Sequence, residues 1–144
     1  MAAATPVTVL LFRIGDVHGA IPIVHVMETL RPLPVTPVDG VPPVVLGLAI
    51  IRGARTPVVD VGAILGVTAT PSRFVVVRSD AGQAALAVDE VLGLATFDQA
   101  ALAERPPLVT PEREAFFGST LQRDRQLFLV LDAARVVGAA GAQQ

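Results

Sequence analysis

The chain has 144 residues, enough for one domain, and is 52% hydrophobic but only 17% charged, against about 25% in an average globular domain. Its 11 basic residues are all Arg and face 13 acids, a net charge of −2, so it lacks the basic stripe that a nucleic-acid binder needs. Cys is absent, which excludes disulfides, thiolate catalysis and Cys-based zinc sites, and the apolar content excludes a disordered chain.

A mean hydropathy of +0.62 raises the question of a membrane span. The most apolar stretch, Val41 to Ile51, falls short of the roughly 20 residues a spanning helix needs, contains Pro42, Pro43 and Gly47, and ends at Arg52. The opening MAAATPVTVLLFRIGD has neither the basic leader nor the cleavage site of a signal peptide. The expectation is a cytoplasmic chain without membrane insertion, whose surplus apolar surface goes into a large core, a partner interface, or both.

Short apolar runs broken by Gly, Pro and Asp about every eight to twelve residues predict an all-β fold with a few short helices. In chain order the predicted strands are Val7–Ile14, Gly19–Ile23, Leu46–Arg52, Arg55–Val59, Phe74–Arg78, Ala84–Val88 and Gln126–Leu131. Ile51-Arg52-Gly53-Ala54-Arg55 reads as a tight hairpin in which Gly53 supplies a positive φ. Pro57 just beyond fits an edge strand or a bulge, because it has no amide to donate. Two short helices start at Asp caps and stop at Gly: Asp60 to Gly66, and Asp132 to Gly138. Phe97-Asp98 opens a short Ala- and Leu-bearing stretch that Arg105-Pro106-Pro107 stops, and Thr110-Pro111-Glu112 reads as a helix start. Residues 1–6 and 139–144 have the composition of flexible tails.

The chain also repeats itself. Asp60 and Asp132 are 72 apart, as are Gly66 and Gly138, while LFRIGDVHGAIPIVHV aligns with VVRSDAGQAALAVDEV at an offset of 65, matching Arg13 to Arg78 and Val26 to Val91. Two small β-barrels are expected, in halves of roughly 7–70 and 71–138 that share an apolar interface, with strands exchanged between them allowed.

Chemistry is sparse. Three Ser, two His and no Cys give no nucleophile elbow, and the absence of Lys removes a phosphate-binding loop. Asp16, His18, His25 and Glu28 form the one cluster with metal-ligating side chains, and His25 with Glu28 supplies two ligands where zinc usually takes three or four. Asp89 and Glu90 are adjacent, so on a strand they face opposite sides and cannot act as a pair. No enzyme, cofactor or metal is expected. What remains is a binding module.

GDVHGAIPIVHVMETL, then Pro34, Pro37 and VVLGLAIIRGARTPVVDVGAILG, resembles the CheW family of chemotaxis coupling proteins. The matching elements are Val26-Met27-Glu28, Gly47 to Gly53 and Pro57-Val58-Val59-Asp60, with ALAVDEVLGL, Phe117-Gly118 and RQLFLVLD in the second half. The resemblance covers roughly residues 7–138 and departs at Ile50, where the family often has Asn. It implies two SH3-like five-stranded β-barrels packed around a shared hydrophobic interface. It also implies a non-enzymatic adaptor, joining the cytoplasmic tip of a chemoreceptor to a CheA-type histidine kinase at a membrane-associated array. An accessory scaffold that binds receptors but not the kinase is the alternative. On this resemblance Val26, Glu28, Gly47, Arg52 and Gly53 match positions of receptor or kinase contact. Four of them also have a purely structural reading: Gly53 as a turn residue, Gly47 as a bulge or a close backbone approach, and Glu28 with Arg52 as a surface ion pair.

Overall fold

The computed structural model describes residues 5–102 and 116–141. It contains ten strands: β1 Pro6–Ile14, β2 Val17–Pro22, β3 Val26–Leu30, β4 Val45–Ile51, β5 Ala54–Asp60, β6 Arg73–Ser79, β7 Gly82–Val88, β8 Glu90–Asp98, β9 Phe117–Arg123 and β10 Gln126–Leu131. Helix α1 spans Val61–Leu65, helix α2 spans Ala133–Gly141, and 3-10 turns occupy Ile23–His25 and Gln99–Ala101. No helix among the described residues is long and apolar enough to cross a membrane.

The strands form two five-stranded sheets, ordered β8-β1-β2-β10-β9 and β3-β6-β7-β5-β4, the two SH3-like barrels of an all-β fold. Their make-up does not follow a division of the chain at residue 70. Each sheet takes one hairpin from one half (β1–β2 or β6–β7) and three strands from the other, so neither half is a barrel by itself.

The backbone register makes the repeat explicit. Arg13 pairs His18 across β1–β2, and Arg78 pairs Gln83 across β6–β7, each residue 65 from its counterpart. Ile51 pairs Ala54 as Arg123 pairs Gln126, each displaced by 72. The parallel contacts agree as well, Val58 with Ala85 and Val130 with Ala20. So do the bulges, which leave Met27 unpaired on β3 and its counterpart Leu92 unpaired on β8.

Three apolar clusters hold this together. Ala49, Ile51, Val58, Phe74, Val76, Ala85 and Ala87 fill the β3–β7 barrel. Val9, Leu11, Ala20, Leu121, Phe128 and Val130 fill the other. The largest cluster lies between them and joins Phe12, Ile14 and Ile21 of one sheet to Val75, Leu86 and Val88 of the other, with Val136 and Val137 of α2. Much of the apolar surplus goes into this seam.

Both predicted caps are present: the Asp60 carboxylate accepts from the Ala63 amide at 3.1 Å, and Asp132 accepts from the Arg135 amide at 3.2 Å. Gly66 leaves α1 with φ 72°, as the sequence predicts. Gly138 does not end α2. The helix runs on to Gly141 because Ala139 and Ala140 favour helix and Ala140 is buried, so residues 139–141 are not a tail. At the other end Pro6 already belongs to β1. Pro57 sits in β5, inside the sheet rather than at its edge. The parallel ladder to β7 covers Val58 to Asp60, so the missing amide of Pro57 falls just outside it. Phe97 belongs to β8, and Asp98 caps a single 3-10 turn by accepting from the Ala100 amide at 3.1 Å. Strands β3, β8 and β9 come in addition to the seven that the sequence predicts. The stop at Arg105-Pro106-Pro107 and the helix start at Thr110 fall outside the described residues.

Candidate functional site

The β4–β5 connection is a two-residue hairpin turn with Arg52 at φ 51° and Gly53 at φ 79°. Two consecutive left-handed residues make a type I′ turn, whose twist matches the strands it joins. The β9–β10 turn repeats this with Asp124 and Arg125, at φ 50° and 67°. Glycine accounts for one half of the first turn; the arginine accepts the same backbone region, which L-residues rarely enter.

That conformation aims Arg52 at β3. Its Nε donates to Glu28 Oε2 at 2.9 Å and its Nη2 donates to Glu28 Oε1 at 2.8 Å, a two-pronged pair. β3 and β4 are the two outer strands of their sheet, so this clamp ties the turn of one margin to the opposite margin. The hydrogen bonds from Arg52 hold the Glu28 carboxyl below its usual range, against partial desolvation, and the attraction of the two charges adds to them. The same bonds and charge push the Arg52 guanidinium up from its ordinary value. Glu28 keeps 23% of its side chain exposed and Arg52 keeps 78%, so the clamp stands at the surface with its outer donors free to meet a partner.

Two depressions are lined by residues of β3. One, of about 310 Å³, is lined by Met27, Glu28, Arg52 and Arg78 among others. The other, of about 720 Å³, is lined by Val24, His25, Val26, Met27, Arg78, Asp80 and Ala134 among others. Met27 and Arg78 belong to both. The β3 bulge leaves Met27 without a ladder partner and exposed. Val24, in the 3-10 turn before it, is 82% exposed, an unusual position for a large apolar side chain.

The structure therefore gathers four of the five sequence-predicted residues along one strip: Val26 and Glu28 on β3, with Arg52 and Gly53 in the turn against them. Val26 is half-buried and leans on the central core. Gly47 lies elsewhere, buried in β4 beside a bulge. Its φ is 152°, and a Cβ there would meet the Thr36 carbonyl oxygen at 2.2 Å. Thr36 pairs with Leu48 through two backbone hydrogen bonds of 2.8 and 2.9 Å, so Gly47 lets the Pro-rich segment lie directly on β4. Sequence reasoning did not single out Val24, Met27 or Arg78. Val24 had a signal in the repeat, because the residue 65 further on is Asp89.

No metal centre forms among the described residues: no three His, Asp or Glu side chains come together. Glu28 is committed to Arg52, and His18 sets its ring edge-on to Phe128 at 5.3 Å. Asp89 is structural, accepting from the Gly15 and Thr70 amides at 2.8 Å each.

Comparison with known proteins follows the same direction. The sequence model of the CheW-like domain matches residues 8–140. Chemotaxis protein CheW of Helicobacter pylori is 28% identical over 118 residues, 79% of this chain and 72% of that one. Chemotaxis protein CheW of Rhizobium meliloti is 26% identical over 125 residues, 84% and 81% of the two chains. The crystal structure of the scaffolding protein TtCheW from Thermoanaerobacter tengcongensis superposes with a TM-score of 0.82 at 22% identity, covering 97% of this chain and 98% of that one. An internally repeated pair of barrels, the R-G turn and the match over residues 8–140 place this chain in the family of CheW-like domain proteins.

Proposed function

We propose that this chain is a non-catalytic adaptor that couples the cytoplasmic tip of a chemoreceptor to the regulatory domain of a CheA-type histidine kinase in a bacterial chemosensory array. It works in the cytoplasm and is recruited to the membrane by its partners rather than inserting into it. Membership of the CheW-like family supports the class of function, and the scaffold and chemotaxis names of its relatives agree with it. The observation that carries the reading is the Arg52–Glu28 clamp beside exposed Met27 and Val24. A fork of guanidinium donors next to exposed apolar side chains is the composition that protein interfaces concentrate at their anchoring residues. Val26, Glu28, Arg52 and Gly53 form the receptor-facing strip in this reading, and Gly47 supports it indirectly by fixing β4.

The mechanism is occupancy. One surface holds a receptor helix and another holds a barrel of the kinase, so a change in the receptor biases the kinase through the adaptor. The coupling is allosteric to the extent that receptor state alters adaptor–kinase affinity, typically by 1–3 kcal/mol. The test is pull-down with a purified receptor cytoplasmic fragment and with the kinase regulatory domain. The wild-type chain is expected to retain both, and Arg52→Glu to bind the receptor fragment at least about tenfold more weakly while keeping its fold by circular dichroism. Unchanged receptor binding by Arg52→Glu removes the assignment of Arg52. Capture of the receptor without the kinase points instead to an accessory scaffold.

A further inference from the structure

The repeat is preserved in backbone register but broken in charge. Arg13 and Arg78 hold equivalent positions near the ends of β1 and β6. Arg13 is fully engaged: its Nη1 donates to the Gly15 carbonyl at 2.7 Å and lies 3.8 Å from Asp89, while its Nε lies 3.6 Å from Glu90. Moving back 65 residues from Asp89 and Glu90 gives Val24 and His25. The two acids that neutralise Arg13 are thus an apolar residue and an imidazole beside Arg78. Among the described residues Arg78 has no ion pair and no side-chain hydrogen bond, and it is exposed.

Its position gives this asymmetry a use. Arg78 lines both depressions along β3, sharing both with exposed Met27 and the larger one with exposed Val24. The other charges there are Glu28, Arg52 and Asp80. Glu28 and Arg52 satisfy each other, and Asp80 is not ion-paired with Arg78. The strip thus presents exposed apolar side chains together with one guanidinium that has no ion pair. That pattern fits an amphipathic helix laid in a groove, with apolar anchors and a carboxylate at its margin. Arginine suits the role because its planar fork matches a carboxylate in two hydrogen bonds.

We propose that Arg78 is the acid-reading residue of the docking strip. It takes the carboxylate of an Asp or Glu on a partner helix whose apolar side chains cover Val24 and Met27. The inference rests on the adaptor reading and adds to it the chemistry of the helix that is bound: apolar, with an acid set against Arg78.

The test is a binding titration of the full chain with a purified helical cytoplasmic fragment of a chemoreceptor, at low and high salt. Arg78→Glu is expected to weaken binding about tenfold or more, and Arg78→Gln by less but measurably, with the salt dependence of binding reduced in both. Arg78→Lys restores part of the loss. Arg125→Glu, in the β9–β10 turn of the other barrel, leaves binding unchanged and controls for overall charge. Since Arg78 is exposed and unpaired, Arg78→Gln is expected to melt with the wild type, so a loss of binding is not a loss of fold. The inference is overturned if Arg78→Glu and Arg78→Gln bind as the wild type does while Arg52→Glu is impaired, or if Arg125→Glu loses as much as Arg78→Glu. Failure of the wild-type chain to bind the fragment overturns the adaptor reading and this assignment with it.

Discussion

Arg52 combines a left-handed backbone with a two-pronged grip on Glu28, so its contribution depends on protonation. Glu28 has a lowered pKa in the folded chain. Its contribution to stability is therefore present above the ordinary carboxylate pKa and is lost as pH falls through the lowered value. Glu28→Gln should be less stable than the wild type at neutral pH, and the gap should close on acidification, read by urea melts across the acid range. The exchange of charges, Glu28→Arg with Arg52→Glu, tests whether the clamp is only structural. It should restore thermal stability without restoring receptor binding, because a partner that reads a guanidinium at position 52 then meets a carboxylate. The two glycines differ as well. Gly53→Ala meets no atom within 4 Å, and its cost is that of one left-handed L-residue, about 1–2 kcal/mol. Gly47→Ala drives a Cβ into the Thr36 carbonyl and should cost about 3 kcal/mol or more by denaturant melts. The turn at Gly53 was legible in the sequence because R-G between two apolar runs leaves room for little else. The positive φ of Arg52 was not, since the residues that announce a type I′ turn are Asn, Asp and Gly.

At the level of elements, the legible ones were those with local signals. Asp60 and Asp132 announced their helices because an acid after an apolar strand has orphan amides to satisfy. Strand β8 gave no such signal. Its burial alternates along the strand, but its exposed side carries Leu92 and Leu94 and its middle carries Gly93, so no matching alternation of apolar and polar residues shows in the sequence. Strand β3 is short and lies at a sheet margin, where the neighbour that stabilises it, β6, is distant in sequence. Asp89, between β7 and β8, is worth more than either cap. Its side chain is 10% exposed, holds the Gly15 and Thr70 amides, and faces Arg13. Asp89→Ala should cost about 2–3 kcal/mol in urea melts, against about 1 kcal/mol for Asp60→Ala or Asp132→Ala. Equal costs for the three would mean that Asp89 does not fasten the β1–β2 turn to the other barrel.

For the whole molecule, the repeat was visible in the sequence as two offsets, 65 and 72, and an exchange of strands was allowed, but which hairpin goes to which barrel was not legible. Val, Ile and Ala fit either sheet equally well, so composition does not select the partner. The chain runs from β2 through residues 23–25 into β3, and from β7 through Asp89 into β8, passing each time from one sheet to the other. A chain ending after Thr70 therefore contains strands of both barrels and the whole of neither. It should give a poorly dispersed NMR spectrum, and mixing with the remaining fragment should recover dispersion. A well-dispersed spectrum from the short fragment alone would count against the shared seam. The exchange also orders events during synthesis. The β3–β7 barrel is continuous, so it can close once residue 88 has left the ribosome. The first hairpin, made earliest, waits for β8–β10, a delay of several seconds at about 5–20 residues per second. Until then the face of β1 and β2 that carries Val9, Leu11 and Ala20 lacks the cover of Leu121, Phe128 and Val130, so the hairpin made before the β3–β7 barrel is completed after it.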